Sequence, residues 1–159
     1  MNKVLICYFS FGGSTTKIAN SLHTLIKESD LVEIKPKTPY SKKDVNYLNP
    51  LSRCNKEIRS KKDIPLIDNI KSIDEYGTIY IGFPIWYWKA PIVISSFVKQ
   101  FDWSNKKVLL FMTSGSSPVG KTVEKLTPFM QGNVNIVDAK RFDINVNENE
   151  LKEFIKKGE

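Results

Sequence analysis

The stretch of this chain best suited to chemistry is a hydroxyl- and glycine-rich segment near its start. Its residues are Ser10, Phe11, Gly12, Gly13, Ser14, Thr15 and Thr16. An uninterrupted apolar run, residues 4–8, precedes it and indicates a buried strand, and a helical apolar stripe begins at Ile18. The first N–H groups of a helix lack partners and carry partial positive charge, while glycines let the backbone curl. The segment therefore predicts a phosphate-binding turn, with an ordinary Ser/Thr helix cap as the alternative.

A second candidate segment is aromatic. Pro84, Ile85, Trp86, Tyr87 and Trp88 follow a strand predicted at residues 78–82. Three large rings in so short a loop cannot all be buried. The loop is therefore predicted to present flat aromatic faces to a ligand. Taken alone, such rings equally favour core packing or a protein interface.

The third segment follows the strand predicted at residues 107–113. It contains Thr113, Ser114, Gly115, Ser116, Ser117, Pro118, Val119 and Gly120, which offer hydroxyl and backbone groups. Residues 115–122 also match the P-loop pattern G-x-x-x-x-G-K-[ST]. Pro118 removes one cradling N–H, and no later strand ends in a metal-binding aspartate. We therefore interpret this match as chance and keep P-loop nucleotide binding only as a weak alternative.

The order of elements places these three segments together. Strands are predicted at residues 4–8, 31–34, 78–82, 107–113 and 134–137, the last with an extension towards residue 142; helices are predicted around residues 17–26, 92–101, 123–130 and 148–157. This alternation predicts one α/β domain over residues 1–159, with a three-layer, doubly wound sheet of five parallel strands. Ligands of such sheets bind beyond the carboxyl ends of the strands, so the three loops should converge on a ligand with a phosphate and a planar ring. A long polar connection, residues 36–63, contains a short helix near residues 52–59.

Composition narrows the classes of function. The 159 residues include 24 basic and 17 acidic side chains, a formal net charge of +7, but the lysines are dispersed, which favours a solvated surface over a nucleic-acid site. His23 is the only histidine, and Cys7 and Cys54 form no Cys-x-x-Cys pair, so we expect no metal site. The start of the chain superficially resembles a signal peptide but lacks a small-residue cleavage site, and no apolar run spans a bilayer. We expect a cytoplasmic protein that binds neither membrane nor nucleic acid.

In these three segments, the chain resembles flavodoxin-like proteins, in particular a short-chain branch with a Pro-Ile-Trp-Trp or Pro-Ile-Trp-Tyr loop. The similarity covers nearly the whole chain. It includes the segments 10–15, 82–87 and 113–120, and also Glu33-Ile34-Lys35-Pro36, Pro39-Tyr40, Arg53 with Glu57, and Tyr76-Gly77-Thr78-Ile79. The resemblance implies strand order 2-1-3-4-5 and non-covalent binding of FMN.

The resemblance also implies roles for individual residues. Ser10, Phe11, Gly12, Gly13, Ser14 and Thr15 would surround the phosphate; Pro84, Ile85, Trp86, Tyr87 and Trp88 would flank the isoalloxazine; Thr113, Ser114, Gly115 and Gly120 would line its edge. Three positions depart from the family pattern: Gly12 where threonine is frequent, Ser14 where asparagine is common, and Trp88 where a small residue is usual. The basic charge also departs from that of acidic electron carriers.

Two functions of different classes follow. The first is an FMN-dependent oxidoreductase that uses NADH or NADPH to reduce a quinone-like small molecule; the flavin supplies the redox chemistry and no side chain is assigned as catalytic. The second is a flavodoxin-type electron carrier with a redox protein as partner. The connection at residues 36–63 would either border the flavin or form a homodimer contact.

Overall fold

The computed structural model describes residues 3–159, so the leader-like reading of the first residues falls partly outside the described residues. The strands are β1 Lys3–Tyr8, β2 Ser29–Glu33, β3 Tyr76–Pro84, β4 Lys107–Thr113 and β5 Asn135–Phe142; the helices are α1 Ser14–Leu25, α2 Arg53–Ser60, α3 Ile92–Val98, α4 Thr122–Leu126 and α5 Glu148–Gly158. None of these helices combines the length and the apolar composition that a membrane span requires.

The strands form one parallel sheet in the order β2-β1-β3-β4-β5, as predicted. The chain leaves β1 towards β2 on one side and returns to β3 on the other, so the strand order reverses between β1 and β3. The interior strands are almost fully buried, which explains their apolar runs without polar alternation. The reversal point lies at the carboxyl ends of β1 and β3, where the first two candidate segments begin.

Helices cover both faces of the sheet, which confirms the three layers. On one face, α1 and α5 bury Ile18, Leu22 and Phe154 against β1, β3 and β4. On the other face, α3 and α4 pack over a core that contains Phe97 and the fully buried Trp103. Both layers hold the sheet rigid beneath the loops at its carboxyl edge.

Some boundaries differ from the predicted ones. The helix predicted over residues 123–130 ends as α4 at Leu126 and continues as a single 3-10 turn, Thr127–Phe129, because Pro128 has no N–H for a helical hydrogen bond. The fifth strand, Asn135–Phe142, confirms the predicted extension towards residue 142, whereas β3 continues beyond the predicted residue 82 through Pro84. The short helix in the connection exists as α2, and its first turn is capped by the hydroxyl of Ser52, which accepts the Asn55 N–H.

Candidate functional site

The turn between β1 and α1 has the geometry of an anion cradle. Gly12 and Gly13 adopt φ values of 84° and 95°, a left-handed backbone that other L-residues rarely take. A Cβ at either position would meet no atom within 4 Å, so the space beside the turn is open. Gly13 provides no side-chain cap, and the N–H groups of Ser14 and Thr15 have no acceptor among residues 3–159. These donors are therefore available to an anion at the helix start.

Two further contacts fix this turn. The hydroxyl of Ser10 accepts the Thr16 N–H at 3.3 Å, which closes the loop from its other end. The hydroxyls of Thr15 and Thr113 lie 2.8 Å apart, and both side chains are buried. Because Thr113 ends β4, this hydrogen bond joins the first and third candidate segments.

We expect the Thr15–Thr113 contact to stabilise the site only as a pair. Thr15→Val or Thr113→Val alone leaves one buried hydroxyl without a partner and should lower the free energy of unfolding by about 1–2 kcal/mol. The double variant removes both hydroxyls at nearly constant volume and should cost clearly less than the sum of the two single changes. Urea unfolding of all four proteins measures this coupling; additive costs would contradict it.

The aromatic segment forms a tight two-residue turn, which we call the aromatic turn, residues 86–89. Trp86 and Lys89 exchange both backbone hydrogen bonds, N to O, at 3.0 and 3.1 Å. The central residues Tyr87 and Trp88 have φ values of 53° and 60°, the pattern of a type I′ turn that usually takes Asn-Gly. Large aromatic residues are strained in this conformation, and such strain is concentrated at functional sites.

The three rings of this segment have different environments. Trp86 is half-buried and meets Phe9, Phe11 and Tyr40 edge to face, with ring centroids 5.4, 6.3 and 5.3 Å away. Tyr87 donates its hydroxyl to Asn55 Oδ1 at 2.8 Å. The Trp88 side chain is 69% exposed. Core packing thus accounts for Trp86, whereas packing does not explain an exposed tryptophan in a strained turn.

We expect Trp88→Gly to raise the free energy of unfolding by about 1 kcal/mol, because glycine relieves the left-handed strain and the exposed ring loses little packing. Chemical denaturation measures the change. Asn105→Gly is the matched control: Asn105 has a φ of 62° away from the aromatic turn, and asparagine tolerates this backbone, so its effect should be only a few tenths of a kcal/mol. A destabilised Trp88→Gly protein would show that the ring supports the fold.

A cavity of about 330 Å³ lies beside the aromatic turn, and we call it the ring cavity. Ile85, Trp86, Tyr87 and Trp88 line it together with Ser117 of the third segment and with Val45, Tyr47 and Cys54 of the long connection. Residues 10–15 do not line it: Ser10 and Phe11 border a separate cavity of about 310 Å³ on the β2 side, with Phe9 and Tyr40. Trp86 connects the two cavities, because it lines the ring cavity and packs against Phe9 and Tyr40 of the other.

The long connection contributes side chains that the sequence did not assign to the site. Tyr40 donates its hydroxyl to the Glu57 carboxylate at 2.6 Å, and Arg53 pairs with the same carboxylate at 2.8 Å while its guanidinium lies 3.9 Å from the Tyr40 ring centroid. Burial, and then the Glu57 carboxylate, raise the pKa of Tyr40, so its hydroxyl stays a donor. The network holds α2 beside the aromatic turn. The sequence signals of this network are Pro39-Tyr40 and Arg53 with Glu57, which belong to the resemblance to flavodoxin-like proteins.

Two ionisable side chains that line the ring cavity, Cys54 and Tyr87, keep their protons. Burial, and then the Glu57 carboxylate, raise the pKa of the Cys54 thiol to about 12, so Cys54 stays protonated and is not a nucleophile. Burial likewise raises the pKa of Tyr87, which therefore keeps the proton it donates to Asn55. The cavity thus offers apolar walls and hydroxyl donors, and no charged acid or base among the residues that line it.

The third segment does not have the geometry of a P-loop. The Thr122 hydroxyl, which would have to face a magnesium ion, is buried and donates to the Val119 carbonyl at 2.6 Å. The following helix, α4, has only five residues. Within the loop, the Ser114 hydroxyl donates to the Ser117 carbonyl, and Gly120 adopts a φ of 51°. The segment is therefore a loop held by its own internal hydrogen bonds. Its residues Gly115 and Ser116 are exposed beside β4.

Comparisons with known proteins agree with this architecture. The sequence profile of the flavodoxin family matches residues 3–158. Two solved proteins assigned to the flavoproteins, from Bacteroides uniformis and Bacteroides eggerthii, are 31% and 27% identical, and both have TM-scores of 0.85; the matches cover 98% of this chain and 98% and 97% of theirs. A Lactobacillus acidophilus flavoprotein in complex with FMN shares the fold at 24% identity, a TM-score of 0.70 and 98% and 99% coverage. A search of curated protein sequences finds no match. With a family match over nearly its full length, the chain belongs to the flavodoxin family.

Proposed function

We propose that this protein binds FMN non-covalently at the carboxyl edge of its sheet. The observation that carries the proposal is the anion cradle: two left-handed glycines, open space beside them and the unpartnered N–H groups of Ser14 and Thr15. The residues present fit a phosphate monoester, because a helix start binds such a group through neutral donors without an arginine. The FMN complex of the Lactobacillus protein supports the choice of cofactor.

The residues that would hold the cofactor divide into three groups. The phosphate would take the cradle N–H groups and the hydroxyls of Ser10 and Ser14; because Gly12 has no side chain, binding at that position relies on backbone donors alone. The ring would lie against the aromatic turn and beside Thr113, Ser114 and Gly115. The Thr15–Thr113 hydrogen bond would keep phosphate and ring sites at a constant separation.

We infer that the loaded protein is an oxidoreductase. When bound, FMN supplies a two-electron redox centre, so that NAD(P)H, one proton and a quinone give NAD(P)⁺ and the hydroquinone. The ring cavity of about 330 Å³ is large enough to admit a small planar acceptor. Within it, Trp88 offers an exposed stacking face, and Tyr87 is held by Asn55 with its proton in place. These side chains would orient a planar substrate.

The first test is spectroscopic. The purified chain, titrated with FMN, should quench flavin fluorescence and shift the visible spectrum, whereas riboflavin, which lacks the phosphate, should bind far more weakly. Anaerobic addition of NADH or NADPH should then bleach the flavin, and a quinone should restore the colour. A chain that binds riboflavin as well as FMN would contradict the role of the cradle, and a flavin that no nicotinamide bleaches would contradict the enzyme.

One observation favours the second function, an electron carrier with a redox protein partner. Tyr47, Leu48 and Leu51 of the connection are 71–78% exposed, and Tyr47 lines the ring cavity with the exposed Trp88. Exposed apolar side chains near a cofactor site are typical of a docking surface for a protein or for a second copy of the chain. Flavin reduction that requires an added reductase protein would favour this carrier. Sedimentation of the purified chain distinguishes a homodimer.

A further inference from the structure

A second cavity, of about 540 Å³, lies on the other side of the aromatic turn. We call it the lysine groove. It is bordered by the segment after α2, by the start of α3 and by α4 with its 3-10 turn, and four lysines line it: Lys61, Lys89, Lys99 and Lys125. Tyr87 and Trp88 line both this groove and the ring cavity. The two cavities therefore meet at the same pair of aromatic side chains.

The charge of the groove is not balanced by the protein. Asp63, the one acidic residue among those that line it, is paired with Lys99 at 2.7 Å, and Lys99 also lies over the Phe129 ring at 4.8 Å. Lys61, Lys89 and Lys125 form no ion pair with any residue in the range 3–159. Partial burial, and then the proximity of Lys125 and Lys61, lower the pKa of Lys89. Three cations thus face one cavity, an arrangement that an anion would stabilise.

The shape of the groove favours a small molecule over a protein. Its volume lies within the range of small-ligand sites, roughly 300–1,000 Å³. Between the lysines, the walls are apolar: Ala90, Ile92, Leu126 and the rings of Trp88 and Phe129. Lysine ammonium groups bind phosphates as point charges, and flat apolar walls accept a heterocycle. An occupant therefore needs both phosphate groups and planar rings.

We propose that the lysine groove binds the phosphate-bearing portion of a pyridine dinucleotide, with Lys61, Lys89 and Lys125 around the phosphates and the nicotinamide end directed past Trp88 towards the ring cavity. This assignment rests on the proposed oxidoreductase and gives its electron donor a binding site. It also gives the exposed Trp88 a role, because that side chain separates the donor groove from the cavity.

The test measures binding of NADP⁺ to the FMN-loaded chain. NADP⁺ carries the same phosphates as NADPH but donates no electrons. Calorimetry should detect binding that weakens as salt is added. Lys61→Gln with Lys125→Gln, at two groove lysines outside the aromatic turn, should raise the NADP⁺ dissociation constant at least about tenfold, since each lost contact is one to a charged group. Lys27→Gln with Lys71→Gln is the matched control, because it removes two exposed charges outside the groove and should change little. FMN affinity should stay unchanged in both double variants.

The outcomes distinguish failure of the groove assignment from failure of the proposed oxidoreductase function. Absence of NADP⁺ binding, or equal binding by the groove variant and the wild type, would overturn the groove assignment. If NADPH bleaches FMN equally in both proteins, the oxidoreductase stands and the groove assignment falls. If NADP⁺ binds through the lysines but NADPH leaves the flavin oxidised, the groove binds a dinucleotide and the oxidoreductase falls. A lysine effect seen only with an added reductase protein would overturn the assignment in favour of a protein partner.

Discussion

Gly82→Ala should destabilise the folded chain by about 3 kcal/mol. Gly82 lies in β3 directly opposite Phe111 of β4, and a Cβ at this position would come within 2.1 Å of the Phe111 ring. Both residues are buried in interior strands, and Phe111 is fully enclosed between the sheet and its helices. The ring therefore cannot move aside without disturbing neighbouring core residues. Urea unfolding of the ligand-free chain measures the loss.

A double-mutant cycle with Phe111→Ala tests the cause. Phe111→Ala alone removes a buried ring and should itself cost about 3–5 kcal/mol, but it also creates the space that the new Cβ needs. In that background, Gly82→Ala should cost less than about 1 kcal/mol. Gly115→Ala is a further control, because its Cβ would meet no atom within 4 Å and its φ is not positive. An equal cost of Gly82→Ala in both backgrounds would mean that the ring contact is not responsible.

The parts of the fold that were predictable are those set by local patterns. Apolar runs identify β1 and β4 as buried strands, and an apolar stripe identifies α1 as a half-buried helix. Both patterns are readable because the spacing of buried residues is set by the type of element. Strand order came from the resemblance to flavodoxin-like proteins and is confirmed. Helix ends were less predictable: Pro128 stops α4 early, a local effect that the apolar pattern alone does not show.

The parts of the site that were missed depend on contacts between distant residues. The Asn55–Tyr87 hydrogen bond spans 32 positions, and neither residue type signals the pair. The lysines of the groove look dispersed along the chain, which favoured a solvated surface, yet the fold brings Lys61, Lys89 and Lys125 to one cavity. The left-handed backbone of Tyr87 and Trp88 was also not predictable from the sequence, because large aromatic residues rarely adopt positive φ values.

The largest effect on ligand binding is expected from Gly13→Ala. The φ of 95° at Gly13 costs an alanine about 1–2 kcal/mol, so the turn either keeps this strain or relaxes. Relaxation would turn the N–H groups of Ser14 and Thr15 away from the phosphate, and a hydrogen bond to a charged group contributes about 1.5–3 kcal/mol. FMN affinity, measured by fluorescence titration, should therefore fall by about tenfold to a hundredfold.

Two comparisons show whether this loss acts at the phosphate. Riboflavin has the same ring but no phosphate, so its weaker binding should change little in Gly13→Ala; an equal loss for both flavins would place the effect at the ring instead. Asn20→Ala is the control, because it changes an exposed side chain of α1 outside the turn and should leave FMN affinity within about twofold. A loss confined to Gly13→Ala and to FMN would place the effect at the phosphate, because the substitution leaves every hydroxyl of the turn in place and changes only its backbone and the space beside it. That result would identify the backbone of this turn, rather than its hydroxyl side chains, as the main determinant of cofactor binding.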